Sequence, residues 1–107
     1  MKIIIFLFVL VFGFSGNAAE EEVLQIVIEN HRFVPEEIVA SSGKRIKLVV
    51  INKDPTVEEF ESFDLNREKI VPGNGQIKVI FGPLKPGVYK FFGEFHEKTA
   101  QGKIIVR

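Results

Sequence analysis

The fold class is decided by one alternating stretch, RIKLVVIN at residues 45–52. Ile46, Leu48 and Val50 fall on one side of an extended chain, whereas Arg45 and Lys47 fall on the other. This alternation is typical of a β-strand that turns one face towards a core. A second stretch, LQIVI at residues 24–28, repeats the pattern.

After Glu22 the chain consists of short apolar stretches at roughly even spacing, separated by turn residues such as those at 72–75 (PGNG) and 85–87 (KPG). Proline and glycine favour turns through their backbone conformations. No stretch holds a helical period, so we predict an all-β sandwich of about seven to eight strands. The predicted strands are Val23–Glu29, Glu37–Ala40, Arg45–Asn52, Val57–Phe63, Glu68–Val71, Gln76–Phe81, Val88–Phe92 and Lys103–Val106.

The first nineteen residues, MKIIIFLFVLVFGFSGNAA, have the features of a secretory signal peptide. They carry one charge, at Lys2, then an apolar run that is too short to span a membrane, then small residues. Cleavage is expected after Ala18 or Ala19. Removal of this segment from the chain of 107 residues is expected to leave a single domain, residues 20–107, in the periplasm or outside the cell.

Charge and cysteine content exclude several classes of function. The 14 basic and 14 acidic residues balance, and removal of Lys2 leaves the mature chain with a formal charge of −1. A nucleic-acid binder would carry a clustered basic face. The absence of cysteine excludes disulfides, thiolate metal sites and a lipoprotein anchor.

Two longer segments resemble a known fold. Residues 33–54, with FVPEEIV, then Gly43, then IKLVVINKD, are similar to the opening half of a cupredoxin domain. Residues 84–106, with LKPGVYKFFG, then His96, then GKIIV, are similar to its last two strands and its ligand loop. The resemblance implies a Greek-key β-sandwich over nearly the whole mature chain.

Blue-copper cupredoxins hold copper with two histidines, a cysteine and a weak axial methionine. By the resemblance, His96 matches the loop histidine, Gly93 stands at the cysteine position and Ala100 at the methionine position. The upstream histidine falls at Glu58 or Glu59. Because the thiolate is missing, a type 1 copper centre cannot form.

Residues 58–61 (EEFE) and 92–102 (FGEFHEKTAQG) resemble the cupredoxin-like domains of bacterial iron uptake, such as that of the periplasmic component of EfeUOB-type systems. This resemblance implies a periplasmic protein that assists metal uptake or delivery. Its partners would be a metal ion and an inner-membrane iron permease or another periplasmic transport protein.

The residue pattern also supports a metal site. Glu59 and Glu61 alternate on a predicted strand and therefore point the same way. In a cupredoxin fold, the loop with Glu94 and His96 closes over the same end as Glu58. Several carboxylates with one imidazole suit Fe(III), Fe(II), Mn(II) or Zn(II) better than Cu(I). We expect iron, and copper in a non-blue site is the nearest variant. The predicted metal ligands are Glu58, Glu59, Glu61, Glu94 and His96.

An alternative explanation is that these carboxylates form a solvated edge. Carboxylates are usually exposed, and Lys53, Arg67, Lys69 and Lys98 are available for ordinary surface ion pairs. His31 is expected to be a surface or turn residue far from the ligand loop.

A second function class also fits the sequence: a metal-free β-sandwich that serves as an interaction module of a transport complex. In that case Phe92 or Phe95 would form the docking patch. No catalytic motif or substrate cleft is evident, so we do not expect an enzyme.

Overall fold

The computed structural model describes residues 20–107, so the predicted signal peptide and its cleavage site lie outside the described residues. The described chain is built almost entirely of β-strands. A single 3-10 turn, Glu94–His96, follows the eighth strand. The strands are β1 (Glu21–Glu29), β2 (Arg32–Val34), β3 (Glu37–Ala40), β4 (Arg45–Asn52), β5 (Glu58–Ser62), β6 (Arg67–Val71), β7 (Gln76–Phe81), β8 (Gly87–Gly93) and β9 (Gln101–Val106).

The strands form two sheets. One sheet has the order β2-β1-β4-β7 and the other has the order β3-β9-β8-β5-β6. Strands β1 and β4 run parallel in the first sheet, as do β3 and β9 in the second, whereas the other neighbours are antiparallel. The predicted all-β sandwich is confirmed.

Eight of the nine strands were predicted, three of them with the observed bounds: β3, β4 and β7. The strand that the sequence did not reveal is β2, which is only three residues long and ends just before Pro35. Among residues 20–107 it pairs only with β1, at the edge of its sheet. A strand this short is too brief to show an alternating pattern.

The core contains a cluster of three phenylalanine rings. Phe33, Phe60 and Phe91 are each at most 1% exposed. The ring of Phe91 packs edge-on against Phe33, with centroids 4.9 Å apart, and stacks on Phe60 at 5.3 Å. Because Phe60 lies on β5 and Phe91 on β8, this cluster fixes β5, which carries Glu58, Glu59 and Glu61, against β8, which leads into the turn with Glu94 and His96. In residues 20–107 there is no helix with the length and apolar character needed to cross a membrane.

Candidate functional site

Strand β5 divides the predicted site between two faces of its sheet. Glu58, Phe60 and Ser62 are buried, whereas Glu59 and Glu61 are partly exposed on the opposite face. This is the two-residue period of a β-strand. The five predicted ligands therefore do not converge on one point. Glu58 meets His96 inside the sandwich, and Glu59 and Glu61 meet other carboxylates outside.

Glu58 is the most deeply buried of the predicted site residues, with 1% of its surface exposed. Its Oε2 lies 2.8 Å from Nδ1 of His96, and its Oε1 accepts hydrogen bonds from the backbone N–H of Phe95 (2.8 Å) and Glu59 (2.9 Å). A buried carboxylate needs such partners, because burial without them is costly. Glu58 therefore ties the start of β5 to the turn that follows β8.

The Glu58 carboxylate also fills the position that the copper ligands would need. A Cβ placed on Gly93 would lie 2.6 Å from Glu58 Oε2 and 2.8 Å from the Cβ of Ala100. Gly93 and Ala100 stand where the resemblance puts the cysteine and the methionine. With no thiolate, no thioether and a carboxylate in the space between them, these residues do not fit a type 1 copper ion.

His31 lies beside His96, so the expectation that it is far from the ligand loop is wrong. The two rings are stacked, with centroids 3.7 Å apart and planes inclined by 15°. His31 belongs to the turn between β1 and β2, where Asn30 and His31 have φ of 55° and 58°. The sequence did not reveal this turn because it did not reveal β2.

Asp54 anchors that turn. Its two carboxylate oxygens accept the backbone N–H groups of Asn30 and His31, both at 2.9 Å, and Oδ2 lies 3.5 Å from His31 Nδ1. Burial alone would raise the pKa of Asp54, but the two backbone hydrogen bonds and the nearby His31 and His96 outweigh it and lower the pKa. Asp54 is a member of this end of the molecule that the sequence did not single out.

On the outer face of β5, three carboxylates crowd together. Oxygen atoms of Glu59, Glu61 and Glu68 all lie within 4.8 Å of one another. Glu68 is directly opposite Glu61 in the antiparallel β5–β6 pair. It was not among the predicted ligands. The register of that hairpin is the signal that locates it, since cross-strand partners share a face.

The crowding raises the pKa values of two of these groups. For Glu59 the main cause is a hydrogen bond shared with Glu68, followed by partial desolvation and repulsion from neighbouring carboxylates. For Glu61 the main cause is partial desolvation, followed by a hydrogen bond shared with Glu94 and repulsion from Glu68, Glu94 and Glu97. Glu94 therefore lies next to this group. We call Glu59, Glu61, Glu68 and Glu94 the acidic face.

The nearby cations do not neutralise the acidic face. Arg67 donates its side-chain hydrogen bonds to the carbonyl oxygens of Ile80, Leu65 and Asn66, and Lys69 donates to that of Lys78. Within residues 20–107, no ion pair involves a member of the acidic face. The expected surface ion pairs are therefore not formed within residues 20–107, and a solvated edge without them stays the alternative to a metal site.

Aromatic side chains lie next to the acidic face. Phe63 is 76% exposed and contacts Phe92, with ring centroids 5.5 Å apart. Phe92 is directly opposite Glu61 in the β5–β8 pair and is half-buried. Phe95, in the turn after β8, is 47% exposed. Exposed aromatic rings of this kind suit contacts with another molecule.

Comparison with known proteins agrees with the architecture. The chain is 44% identical over 108 residues to the uncharacterized protein RP394 of Rickettsia prowazekii (strain Madrid E), covering 96% of this chain and 86% of that protein.

Among solved structures, it superposes on auracyanin A, a blue copper protein from Chloroflexus aurantiacus, with a TM-score of 0.70 and 15% identity, covering 81% of this chain and 99% of that one. The metal-binding domain of the Streptococcus pneumoniae Cu(I)-exporting P-type ATPase CopA gives a TM-score of 0.72 and 16% identity, with coverage of 81% and 86%. The novel purple cupredoxin from Nitrosopumilus maritimus gives 0.61 and 20%, with coverage of 78% and 99%.

At these low identities the structural likeness establishes the fold and leaves the metal open. The sequence match covers more of the chain than these superpositions do, because the family model of the cupredoxin-like domain matches residues 2–106. The two parallel strand pairs, the His96 turn after β8 and this match lead to one conclusion. The chain belongs to the cupredoxin-like domain family.

Proposed function

We propose that the mature chain is a periplasmic protein that binds a hard transition-metal ion, iron foremost, on its acidic face. The observation that carries this proposal is the group of three carboxylates, Glu59, Glu61 and Glu68, whose oxygens lie within 4.8 Å of one another without a cationic partner. Like charges this close repel one another, as the raised pKa values of Glu59 and Glu61 reflect. A bound cation removes that repulsion.

The chemistry of the donors favours iron over Cu(I). Carboxylate oxygens are hard ligands, whereas Cu(I) prefers thiolates and thioethers, which the acidic face lacks. A non-blue copper site made of the same oxygens is the nearest variant. In this proposal His96 and Glu58 are not metal ligands, which differs from the prediction, because the two side chains form a hydrogen bond with each other on the inner side of β5.

The same proposal includes an accessory role in metal uptake or delivery, without enzymatic activity. Its supports are the signal-like segment at residues 1–19 and the resemblance to the cupredoxin-like domains of iron uptake systems. The acidic face lies on the open surface of a sheet, where an ion can be exchanged with a permease or a periplasmic partner. The exposed rings of Phe63 and Phe95 lie beside it and suit such a handover.

Metal titration of the mature protein tests the proposal. Fe(III)-citrate, Fe(II), Mn(II), Zn(II) and Cu(II) are added to the wild type, to the double variant Glu61→Gln/Glu68→Gln and to the control Glu29→Gln/Glu36→Gln. The control removes the same charge from exposed positions outside the acidic face. We expect stoichiometric iron binding that is lost in the first variant and kept in the control. No binding above background, or equal losses in both variants, would overturn the proposal.

A metal-free interaction module is the second candidate, favoured by the exposure of Phe63 and Phe95. The two functions differ in which substitutions matter. A module should lose its partner with Phe95→Ser and tolerate Glu61→Gln/Glu68→Gln. A metal carrier should lose metal binding with Glu61→Gln/Glu68→Gln and keep it with Phe95→Ser. Recovery of partner complexes from cells that express each variant distinguishes the two.

A further inference from the structure

The edge strands of the two sheets are not protected equally. In the first sheet the edge strands are β2 and β7, and in the second they are β3 and β6. The carbonyl oxygens of Ile80 and Lys78 on β7 accept hydrogen bonds from the side chains of Arg67 and Lys69. Charged side chains placed on an edge in this way oppose the addition of another strand. The β7 edge is therefore covered.

Strand β6 supplies both of these side chains, and its own edge is open. Among residues 20–107 it pairs with β5 alone, and no turn or loop in that range forms a backbone hydrogen bond with residues 67–70. Every second residue of an edge strand directs its N–H and C=O away from the neighbouring strand. Four of the five residues of β6 are exposed. The strand can therefore pair with one more extended segment.

The side chains along this edge indicate which segment would fit. Glu68 and Ile70 lie on the outer face of β6, opposite Glu61 and Glu59 of β5. Glu68 belongs to the acidic face, and Ile70 is 48% exposed. On an added strand, the residue opposite Glu68 is favoured by a positive charge and the residue opposite Ile70 by an apolar side chain. Because Glu68 and Ile70 are two positions apart, these two residues of the segment are also two positions apart.

We propose that β6 binds an extended segment of a partner protein in which a lysine or arginine and an apolar residue stand two positions apart. The segment adds a sixth strand to the second sheet, and main-chain hydrogen bonds with β6 hold it. Its cation lies against Glu68 and the rest of the acidic face. A second copy of β6 fits less well, because the outward side chains of this strand, Glu68 and Ile70, include no cation.

This inference does not rest on the metal site proposed above, because the open edge and the carboxylates are present whether or not an ion binds. It adds a consequence to that function. The segment and the ion both use Glu68, so each should weaken the binding of the other by the same factor. Arrival of the partner at β6 would then favour release of the ion.

Titration of a synthetic peptide into the mature protein, with EDTA present to exclude metal, tests the inference. In the probe peptide, threonine alternates with lysine and valine, so that one face of the extended chain carries the cations and the apolar side chain. Binding is monitored through the backbone amide signals of the protein in nuclear magnetic resonance. We expect saturable binding, with the strongest slowing of amide hydrogen exchange in residues 67–70.

Matched peptides and variants separate strand addition from attraction by charge alone. A probe with N-methylated backbone keeps its charge but cannot donate its N–H groups, and it should bind at least about tenfold more weakly. Glutamate in place of lysine should have a similar effect. Glu61→Gln/Glu68→Gln should weaken binding of the lysine peptide by about tenfold, since two favourable charge contacts are lost. Glu29→Gln/Glu36→Gln, at exposed positions outside the acidic face, is the control and should not.

Three outcomes would overturn the inference. The first is no saturable binding at about 1 mM peptide, and the second is equal binding of the N-methylated peptide. The third is a dimer of the wild type that protects the β6 amides without peptide, which would make a second copy the occupant of this edge. Because the experiment contains no metal, none of these outcomes bears on the metal titration.

Discussion

Replacement of Glu58 by alanine should destabilise the protein more than any other single change to a glutamate. The substitution removes the acceptor of the Phe95 and Glu59 N–H groups and the partner of His96 Nδ1. Each buried N–H group left without its acceptor typically costs about 1–3 kcal/mol. Because two N–H groups lose their acceptor while His96 is 28% exposed and regains water, we expect a loss of about 3 kcal/mol.

The loss of stability is measured by urea unfolding of the mature protein. For a domain of this size, about 3 kcal/mol corresponds to a fall in Tm of roughly 12–24 °C. Glu29→Ala, at an exposed position on β1, is the control and should leave the midpoint unchanged. If Glu58→Ala lowers the free energy of unfolding by less than about 1 kcal/mol at unchanged m, Glu58 does not tie β5 to the loop, and our account of this end is wrong.

Three further predictions follow from the same contacts. Glu58→His/Gly93→Cys/Ala100→Met restores the donor set of a blue-copper site and should give intense visible absorption with Cu(II), whereas a colourless complex would mean that the loop no longer has cupredoxin geometry. Glu68→Gln should stabilise the metal-free protein at neutral pH. The pKa of Glu59 is raised above 4.5 in the folded protein, so its contribution to stability is present below pH 4.5 and is lost as the pH rises through the folded pKa. The advantage of the variant in thermal melts should therefore vanish below about pH 4.5. The pKa of Asp54 is lowered from 3.8, so its stabilisation is present above that value and is lost as the pH falls through its folded pKa; Asp54→Asn should therefore be less stable at pH 7 and equal to the wild type in strong acid, as judged by urea midpoints.

The sequence predicted the sandwich because its strands alternate clearly. Apolar residues at every second position, as in β4, allow one arrangement only, since a shift of one residue would expose the core. The same alternation predicts that Glu59 and Glu61 share a face, and the structure confirms this. Alternation does not indicate which strands are neighbours in a sheet. Glu68 joins the acidic face through the β5–β6 register, which is a cross-strand property.

The loop end was harder to predict for a related reason. His31, Asp54 and His96 are separated by 23 and 42 positions along the chain, and they meet only because three connections converge at one end of the fold. No local pattern marks such a meeting. His31 was placed elsewhere because the three-residue strand β2, which turns the chain back at that point, carries no recognisable period.

The Glu58 carboxylate stands in the place of the cupredoxin copper ligands. This replacement explains how the fold can form without copper at that position. In a cupredoxin the metal joins the loop to the neighbouring strand. Here Glu58 makes the same connection with two hydrogen bonds, one from the Phe95 N–H and one with His96 Nδ1. A carboxylate in this place would clash with any side chain at position 93, so Gly93 and Glu58 are a matched pair. Because the loop is then held without a metal, binding of an ion on the acidic face need not be coupled to folding.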